Sequence, residues 1–534
     1  MTTGTATHSN STSQNLAATI GKNTFLGVVA NITQVGTRLV TVPIVIHHLG
    51  LGGYGIWNII MMTSTYMRFG SVGIKSAFQK YVAEATGSGD YETTNKLLST
   101  GCAVMVVLSV VGLIPVGIFS RQIAHAAGVP PEFLRSAAGS ISLLALIMGM
   151  SNVGAAYESI VMGGHRIDLV RKFVTFLSVG EAAAVIIVVR HGYGLFAMSA
   201  IMSTSELLYL TCCYIASRRV LPQVRVSPRF VTKDVLYELF RFAGSYQLVN
   251  VLEILYGAIV PFAILRTFGA NSAGVYAVVI RVVGSAMMLQ DAFLSPILSG
   301  GSMVYASGSH ERMERLLIKA FKVTLALSLF PLGFMGVFGA NITYAWIGQS
   351  DPAFRIAFWL VGFTMFFRSF SLLSLVLYRV SGKALMDNIR QVLRILIILV
   401  VALFAPQLGF YGVLTGLAIA ELSGMIFMLF ALTETFEVFR IKSLLPDVFR
   451  LTAAAAVILG TGIIASHVPL PTSQGGRALA TIRLAEVSLT CLIMVWPSLL
   501  LTNSVTAAEG KALFGTFFLR LRKTKNAISQ HTSD

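Results

Sequence analysis

Apolar stretches of about 17–25 residues, long enough to cross a bilayer, recur from residue 24 to residue 502. Nothing else in the chain limits its fold so strongly. Within hydrocarbon the backbone must satisfy its own N–H and C=O groups, and a helix does so segment by segment. Composition agrees: 55% of residues are hydrophobic, 12% are charged, and the mean hydropathy is +0.75. An ordinary soluble chain carries roughly 25% charged residues; with half that share, this one cannot cover its surface with polar groups. The sequence specifies an all-α polytopic membrane protein.

The runs place about fourteen transmembrane helices, near 24–47, 54–80, 96–120, 136–162, 168–189, 193–217, 239–266, 270–298, 316–338, 354–378, 386–405, 410–432, 450–467 and 484–502. An even number of crossings puts both termini on one side, and Lys and Arg decide which. Lys75, Lys80, Arg166, Arg171, Lys172, Arg218, Arg219, Arg312, Arg315, Lys383, Arg390, Lys442 and the tail residues Arg520, Arg522 and Lys523 fall at one set of ends and loops. Far fewer, Arg121, Arg135, Arg190, Arg266, Arg355, Arg477 and Arg483, fall at the other. That asymmetry predicts cytoplasmic termini. The formal charge of +17 is then mostly a cytoplasmic lining that faces anionic membrane lipids, with no nucleic-acid partner. Residues 1–21, rich in Ser and Thr, read as a disordered cytoplasmic tail. Cys102, Cys212, Cys213 and Cys491 match no metal or disulfide spacing and read as small buried fillers.

The sequence repeats. A glycine-rich run, HHLGLGGYGIWN at 47–58, recurs 219 positions later as FGANSAGVY at 268–276, with Gly50 on Gly269 and Gly55 on Gly274. The same shift lays Gly89 on Gly308, Ser109 on Ser328, Asp168 on Asp387 and Arg171 on Arg390. Shared spacing of polar residues is what gives the match weight, because Leu and Gly coincide easily in such a chain. Helices 1–6 and 7–12 are therefore two copies of one unit. Six spans per copy give both the same orientation, as two parallel lobes related by a pseudo-two-fold along the membrane normal, an arrangement found among alternating-access transporters. Two C-terminal helices lie outside the repeat. The glycine runs read as turns between paired helices, where glycine permits left-handed backbone, and no strand precedes them to make a phosphate loop. Tyr54, Trp57 and Tyr276 are expected in the interfacial aromatic belt. Pro43 and Pro261, 218 apart, are expected to bend the leading helix of each copy.

Polar side chains interrupt the apolar spans, where an arginine costs roughly 2.5–3.5 kcal/mol even on lenient insertion scales. Asn31, Gln34, Arg38 and Thr41 share one narrow stripe of helix 1, and Tyr246, Asn250, Glu253 and Gly257 repeat it on helix 7. Such stripes point either to interhelical hydrogen bonds or to a hydrated cavity. Arg38, Arg68, Arg281 and Arg368 are the most deeply placed bases, and Glu158, Glu181, Glu206, Glu253, Asp291 and Glu421 are the embedded acids. A guanidinium in a wet cleft is a fitted receptor for phosphate oxygens, so the group favours an anionic cargo.

Three stretches, 49–100, YESIVMGGHRIDLVRKF at 157–173, and 268–317, resemble the polysaccharide-transporter, O-antigen flippase type of the multidrug/oligosaccharidyl-lipid/polysaccharide exporter superfamily. The resemblance spans about residues 22–435. It implies two six-helix lobes around a cationic central cavity and alternating access. It also implies a cargo of undecaprenyl-diphosphate-linked oligosaccharide, moved from the cytoplasmic to the outer leaflet of the bacterial inner membrane, and partnership with polysaccharide assembly enzymes. Diphosphate contact carries over to Arg38, Arg68 and Arg281, with Arg368 a further candidate. Asn31, Gln34, Tyr246 and Asn250 are expected to bind sugar or water, and Glu253 or Asp291 to couple H⁺ or Na⁺. The expected divisions are a tail at 1–21, lobes at 22–217 and 239–435 joined by a cytoplasmic linker at 218–238, two added helices within 436–505, and a basic tail at 506–534.

Two other classes compete with this reading. A drug or cation antiporter of the same superfamily would favour carboxylates over arginines in its cavity, and Glu253 supports it. A membrane glycosyltransferase or polymerase would need acid/base residues in a sizeable loop, whereas His47, His48, His125 and His467 form no consistent constellation. No catalytic residue, metal or cofactor is expected, and a monomer is.

Overall fold

The computed structural model describes residues 5–65, 72–306, 310–349, 351–380, 384–435, 444–467, 476–502 and 504, with side chains described along these ranges except chiefly at 5–25, 238–251, 291–306 and 372–380. Arg68, and the side chains of Tyr246, Asn250 and Asp291, lie outside the described residues. The regular structure among the described residues is all helical: α1 (Thr5–Thr65), α2 (Val72–Ser88), α3 (Tyr91–Ala126), α4 (Pro131–Gly163), α5 (Ile167–Arg190), α6 (Leu195–Val220), a 3-10 turn (Pro228–Phe230), α7 (Lys233–Ala306), α8 (His310–Ile347), α9 (Ala353–Val380), α10 (Ala384–Leu403), α11 (Ala405–Thr435), α12 (Leu445–His467) and α13 (Arg477–Leu501).

Eleven of these helices are long and apolar enough to cross a membrane, and the chain is a multi-pass membrane protein. The 61 residues of α1 would stretch about 90 Å if straight, three times the hydrocarbon thickness of about 30 Å. It kinks instead at Gly50, with φ 73° and ψ 168°. α7 kinks at the repeat-related Gly269, with φ 80° and ψ −179°. Only glycine adopts such a conformation without steric cost, as the turn reading requires. Each kinked helix thus holds two helical arms. Two further pairs of left-handed glycines, Gly128 with Gly348 and Gly192 with Gly409, recur at nearly the same spacing. α10 is not among the eleven because Asp387, Arg390 and Arg394 interrupt its apolar run.

Four expectations change. The stretch expected to be a disordered tail is helical from Thr5; no proline interrupts it, and a helix already nucleated downstream extends cheaply. Tyr54, Trp57 and Tyr276 are buried, at 3%, 9% and 7% exposure, rather than set in an interfacial belt. Arg390, read as part of the cytoplasmic lining, is 2% exposed and bonded to Asp387 at 2.8 Å. Burial of the cysteines holds for Cys102, Cys213 and Cys491, whereas Cys212 is partly exposed.

Packing separates two compact units. The first joins Met1–Arg281 with Asp387–Ala420, the second Val282–Met386 with Glu421–Asp534. The first therefore includes residues from both sequence repeats; the six-helix lobes remain the division we propose from the repeat. In the first unit α4 packs on α1, α2, α3 and α6, and α5 on α1 and α6. Phe78, Val82, Leu98, Met105, Ala156 and Ile160 form a core there. Ser109 of α3 accepts a hydrogen bond from Asn152 of α4 at 2.8 Å, which is interhelical polar glue of the kind bilayers favour. Val107, Val111, Ile114 and Ile118 of α3 are each more than half exposed on one face, as a lipid-facing helix requires.

The chain between α6 and α7 is fastened to α3. Asn95 donates to the Gln223 carbonyl at 3.2 Å and accepts from the Arg225 amide at 2.7 Å. Ser99 accepts from the Ser227 amide at 3.0 Å, and Thr100 from the Thr232 amide at 3.1 Å. Asp90 caps α3 by accepting from the Thr93 amide at 3.1 Å, a bond that holds its carboxyl below the usual carboxylate range.

In the second unit α8 packs on α9, α12 and α13. Leu317, Phe321, Phe370 and Leu451 fill one cluster, and Phe338, Ile458, Val487 and Cys491 another. Ser328, the repeat partner of Ser109, likewise bridges helices: Gln290 accepts from it at 3.4 Å and from Ser369 at 2.9 Å.

Candidate functional site

The side chains at positions 34, 37, 38, 41 and 45 recur at helical spacing, so one face of α1 presents Gln34, Thr37, Arg38, Thr41 and Val45 together. That face lines a cavity of about 560 Å³ inside the first unit. The two threonines turn their hydroxyls back onto α1, Thr37 to the Gln34 carbonyl at 3.0 Å and Thr41 to the Thr37 carbonyl at 2.7 Å. Gln34 and Arg38 therefore carry the polar character of this wall. Tyr54, Trp57 and Met61 from the other arm of α1 form a further wall.

Opposite these, α4, α5 and α6 contribute acids and α2 and α7 contribute bases. Lys75, Arg38 and Arg281 line the cavity together with Glu158, Glu181 and Glu206. Lys75 Nζ lies 2.7 Å from Glu158 Oε2. Glu206 Oε1 accepts from Ser151 Oγ at 2.6 Å, and Ser205 hydrogen-bonds Glu181. Arg38 stands in the fields of both Arg281 and Glu181, and among the described residues no carboxylate lies within ion-pair distance of it. Two guanidinium groups that line one cavity repel one another, and an anion that approaches both relieves that repulsion.

The cavity thus brings together Arg38, Arg281 and Gln34 from the sequence-level set. Asn31 is exposed and does not line it. Arg368 belongs to the second unit, where its Nη1 lies 4.0 Å from Glu421 Oε1. Glu253 sits in another cluster of the first unit: Arg394 Nη1 is 3.3 Å from its Oε2, and Gln391 donates to the same oxygen. Arg394, itself fully buried, donates to Gln391 Oε1 at 2.7 Å and stacks over Tyr256 at 3.8 Å. A guanidinium already neutralises Glu253 in this conformation. Among the described residues no group of three His, Cys, Asp or Glu side chains is placed to hold a metal ion.

Sequence reasoning missed Lys75, Tyr54 and Trp57 as cavity residues. Lys75 resembles one more basic loop residue, and only its pairing with Glu158 distinguishes it. Tyr54, Trp57 and Met61 follow one another at i, i+3 and i+7, a spacing that places them on one face and is a usable signal.

The family described as polysaccharide biosynthesis protein matches residues 20–299, more than half of the chain. No curated protein sequence matches. Among solved structures, the lipid II flippase MurJ in an inward closed conformation aligns at 14% identity and a TM-score of 0.66, over 88% of this chain and 97% of that one. An inward-facing multidrug resistance MATE family transporter of the MOP superfamily aligns at 14% identity and a TM-score of 0.64, over 77% and 96%. A MOP superfamily transporter from Pyrococcus furiosus, its binding pocket described as of reverse polarity, aligns at 14% identity and a TM-score of 0.56, over 78% and 96%. At these identities the likeness is one of fold: this chain folds as those transporters do.

Proposed function

This chain belongs to the polysaccharide biosynthesis protein family, and from that membership we propose that it is a flippase for an undecaprenyl-diphosphate-linked oligosaccharide. It carries that lipid from the cytoplasmic to the outer leaflet of a bacterial inner membrane by alternating access, with both termini in the cytoplasm. The observation that carries the reading is the pairing of Arg38 and Arg281 in one polar cavity. A diphosphate presents oxygens to two planar donor forks at once, and each such charge-assisted contact is about twice as strong as a neutral one. Gln34 suits the first sugar, and the polyprenyl tail stays in lipid. Arg68 is proposed as a third diphosphate contact on the resemblance alone. Moving a charged headgroup through about 30 Å of hydrocarbon is prohibitive without such a path.

The three glutamates in the same cavity favour one other reading, export of a cationic molecule in exchange for ions. The two readings separate in cells depleted of the protein, by leaflet-resolved mass spectrometry of lipid-linked sugars. The flippase reading expects an undecaprenyl-diphosphate oligosaccharide to build up in the inner leaflet, and expects Arg38→Ala and Arg281→Ala to fail to relieve it while inserting normally. Full activity of both variants refutes the arginine assignment. Sensitivity to cationic drugs without lipid build-up refutes the flippase itself.

A further inference from the structure

A second cavity, about 760 Å³, lies at the basic end of the first unit, between the α4–α5 turn and the end of α6. It shares no lining residue with the chamber around Arg38. Its apolar lining comes from Leu169 and Phe173 of α5 and from Ile215 and Val220 of α6. Two exposed bases, Arg166 and Arg219, also line it, and among the described residues no acidic side chain does. Asp168, just outside, occupies one edge of Arg166, with Nε at 3.0 Å and Nη2 at 3.4 Å. Arg219 is exposed, and among the described residues no carboxylate lies within ion-pair distance of it.

We propose that this groove binds one anionic phospholipid of the leaflet at the basic end, its phosphate held by Arg219 and Arg166 and an acyl chain laid along Leu169, Phe173 and Ile215. Charge decides the occupant. Two arginines less the adjacent Asp168 leave one formal positive charge, which matches a monoanionic phosphodiester and not a diphosphate. The arrangement of exposed bases in an apolar groove between spans is what anionic headgroup recognition needs. A zwitterionic lipid offers the same chain but brings its own cation to the arginines. The site depends on this geometry alone and stands apart from the flippase reading.

The groove contains its own reporter. Cys212 lines it and is the one cysteine of four that is not buried. The test is the rate of maleimide labelling of Cys212 in the purified full chain, in detergent freed of phospholipid. Phosphatidylglycerol is expected to slow labelling by about tenfold at a concentration where phosphatidylcholine does not, the size that 1.4 kcal/mol of preference confers. Arg219→Ala should lose that protection, and Arg219→Lys, which keeps the charge without the planar fork, should retain part of it. Arg229→Ala, which removes an exposed arginine outside the groove, should behave as the parent. Equal slowing by both lipids, or none by phosphatidylglycerol, overturns the proposal. So does a Cys212 that fails to label in the absence of lipid. Stronger protection by a polyprenyl diphosphate than by phosphatidylglycerol overturns it in favour of a cargo entry site.

Discussion

The two copies of the glycine run touch each other. A Cβ placed on Gly55 would lie 2.5 Å from the Gly274 amide nitrogen and 2.6 Å from the Ala270 carbonyl oxygen. One placed on Gly274 would meet the Leu51 carbonyl oxygen more closely still. Non-bonded carbon contacts are comfortable at about 3.5–4.0 Å, so Gly55→Ala must part the two backbones by roughly 1 Å. No flexible side chain is available to yield, because the atoms in the way are main chain. Overpacking of this kind costs about 1–3 kcal/mol, and backbone on both sides places Gly55→Ala and Gly274→Ala near the upper end. The variants share one obstruction, so the double variant should cost clearly less than the sum of the two. On the same helix, a methyl group added at Gly36 would have nothing within 4 Å of it, and Gly36→Ala should be neutral or stabilising by up to about 1 kcal/mol. Denaturant or thermal unfolding of the purified variants measures all four. A Gly55→Ala variant as stable as Gly36→Ala, or strict additivity of the pair, refutes the close approach.

Asn95→Ala should leave the Gln223 carbonyl and Arg225 amide without their partner, at a cost of about 1–3 kcal/mol. Trypsin cleavage at the exposed Arg225 and Arg229 reads it out: a loss of about 1.4 kcal/mol raises the open fraction about tenfold, and an unchanged rate refutes the clamp. Lys75→Met should strand Glu158, whose side chain is 13% exposed, and lower the unfolding midpoint by an equivalent of roughly 1–3 kcal/mol. The swap Lys75→Glu with Glu158→Lys should restore most of that loss, and failure to restore it would mean that the pair is not what holds α2 to α4.

Fold class and the long apolar helices were legible because both depend on periodicity and composition, which the chain displays residue by residue. Gly50 and Gly269 were legible as turns for the same reason. Gly55 and Gly274 were not legible as a contact: sequence registers that two glycines correspond, not that they meet. Tyr54 and Trp57 were misplaced because aromatic residues near a span end usually sit at the interface, and here they are buried against the cavity instead. The charged residues were harder. Arg390 looks like any cytoplasmic base until Asp387 is brought against it. Arg38 and Arg281 were found as deep bases, whereas the acids that share their chamber were known only as embedded carboxylates with no common location. Burial cost identifies which charges are unusual, and only tertiary packing says which of them face one another.

The chamber around Arg38 has three bases and three acids, so at formal charge it is neutral when empty. A neutral chamber that reorients moves no net charge through the membrane field, and its return step should be indifferent to voltage. The loaded step differs. Each charge carried fully across is worth about 2.3 kcal/mol per 100 mV, and a negative interior drives anions outward. For an anionic cargo the resting potential of the cell would itself assist delivery to the outer leaflet, and it would oppose the reverse trip by the same amount.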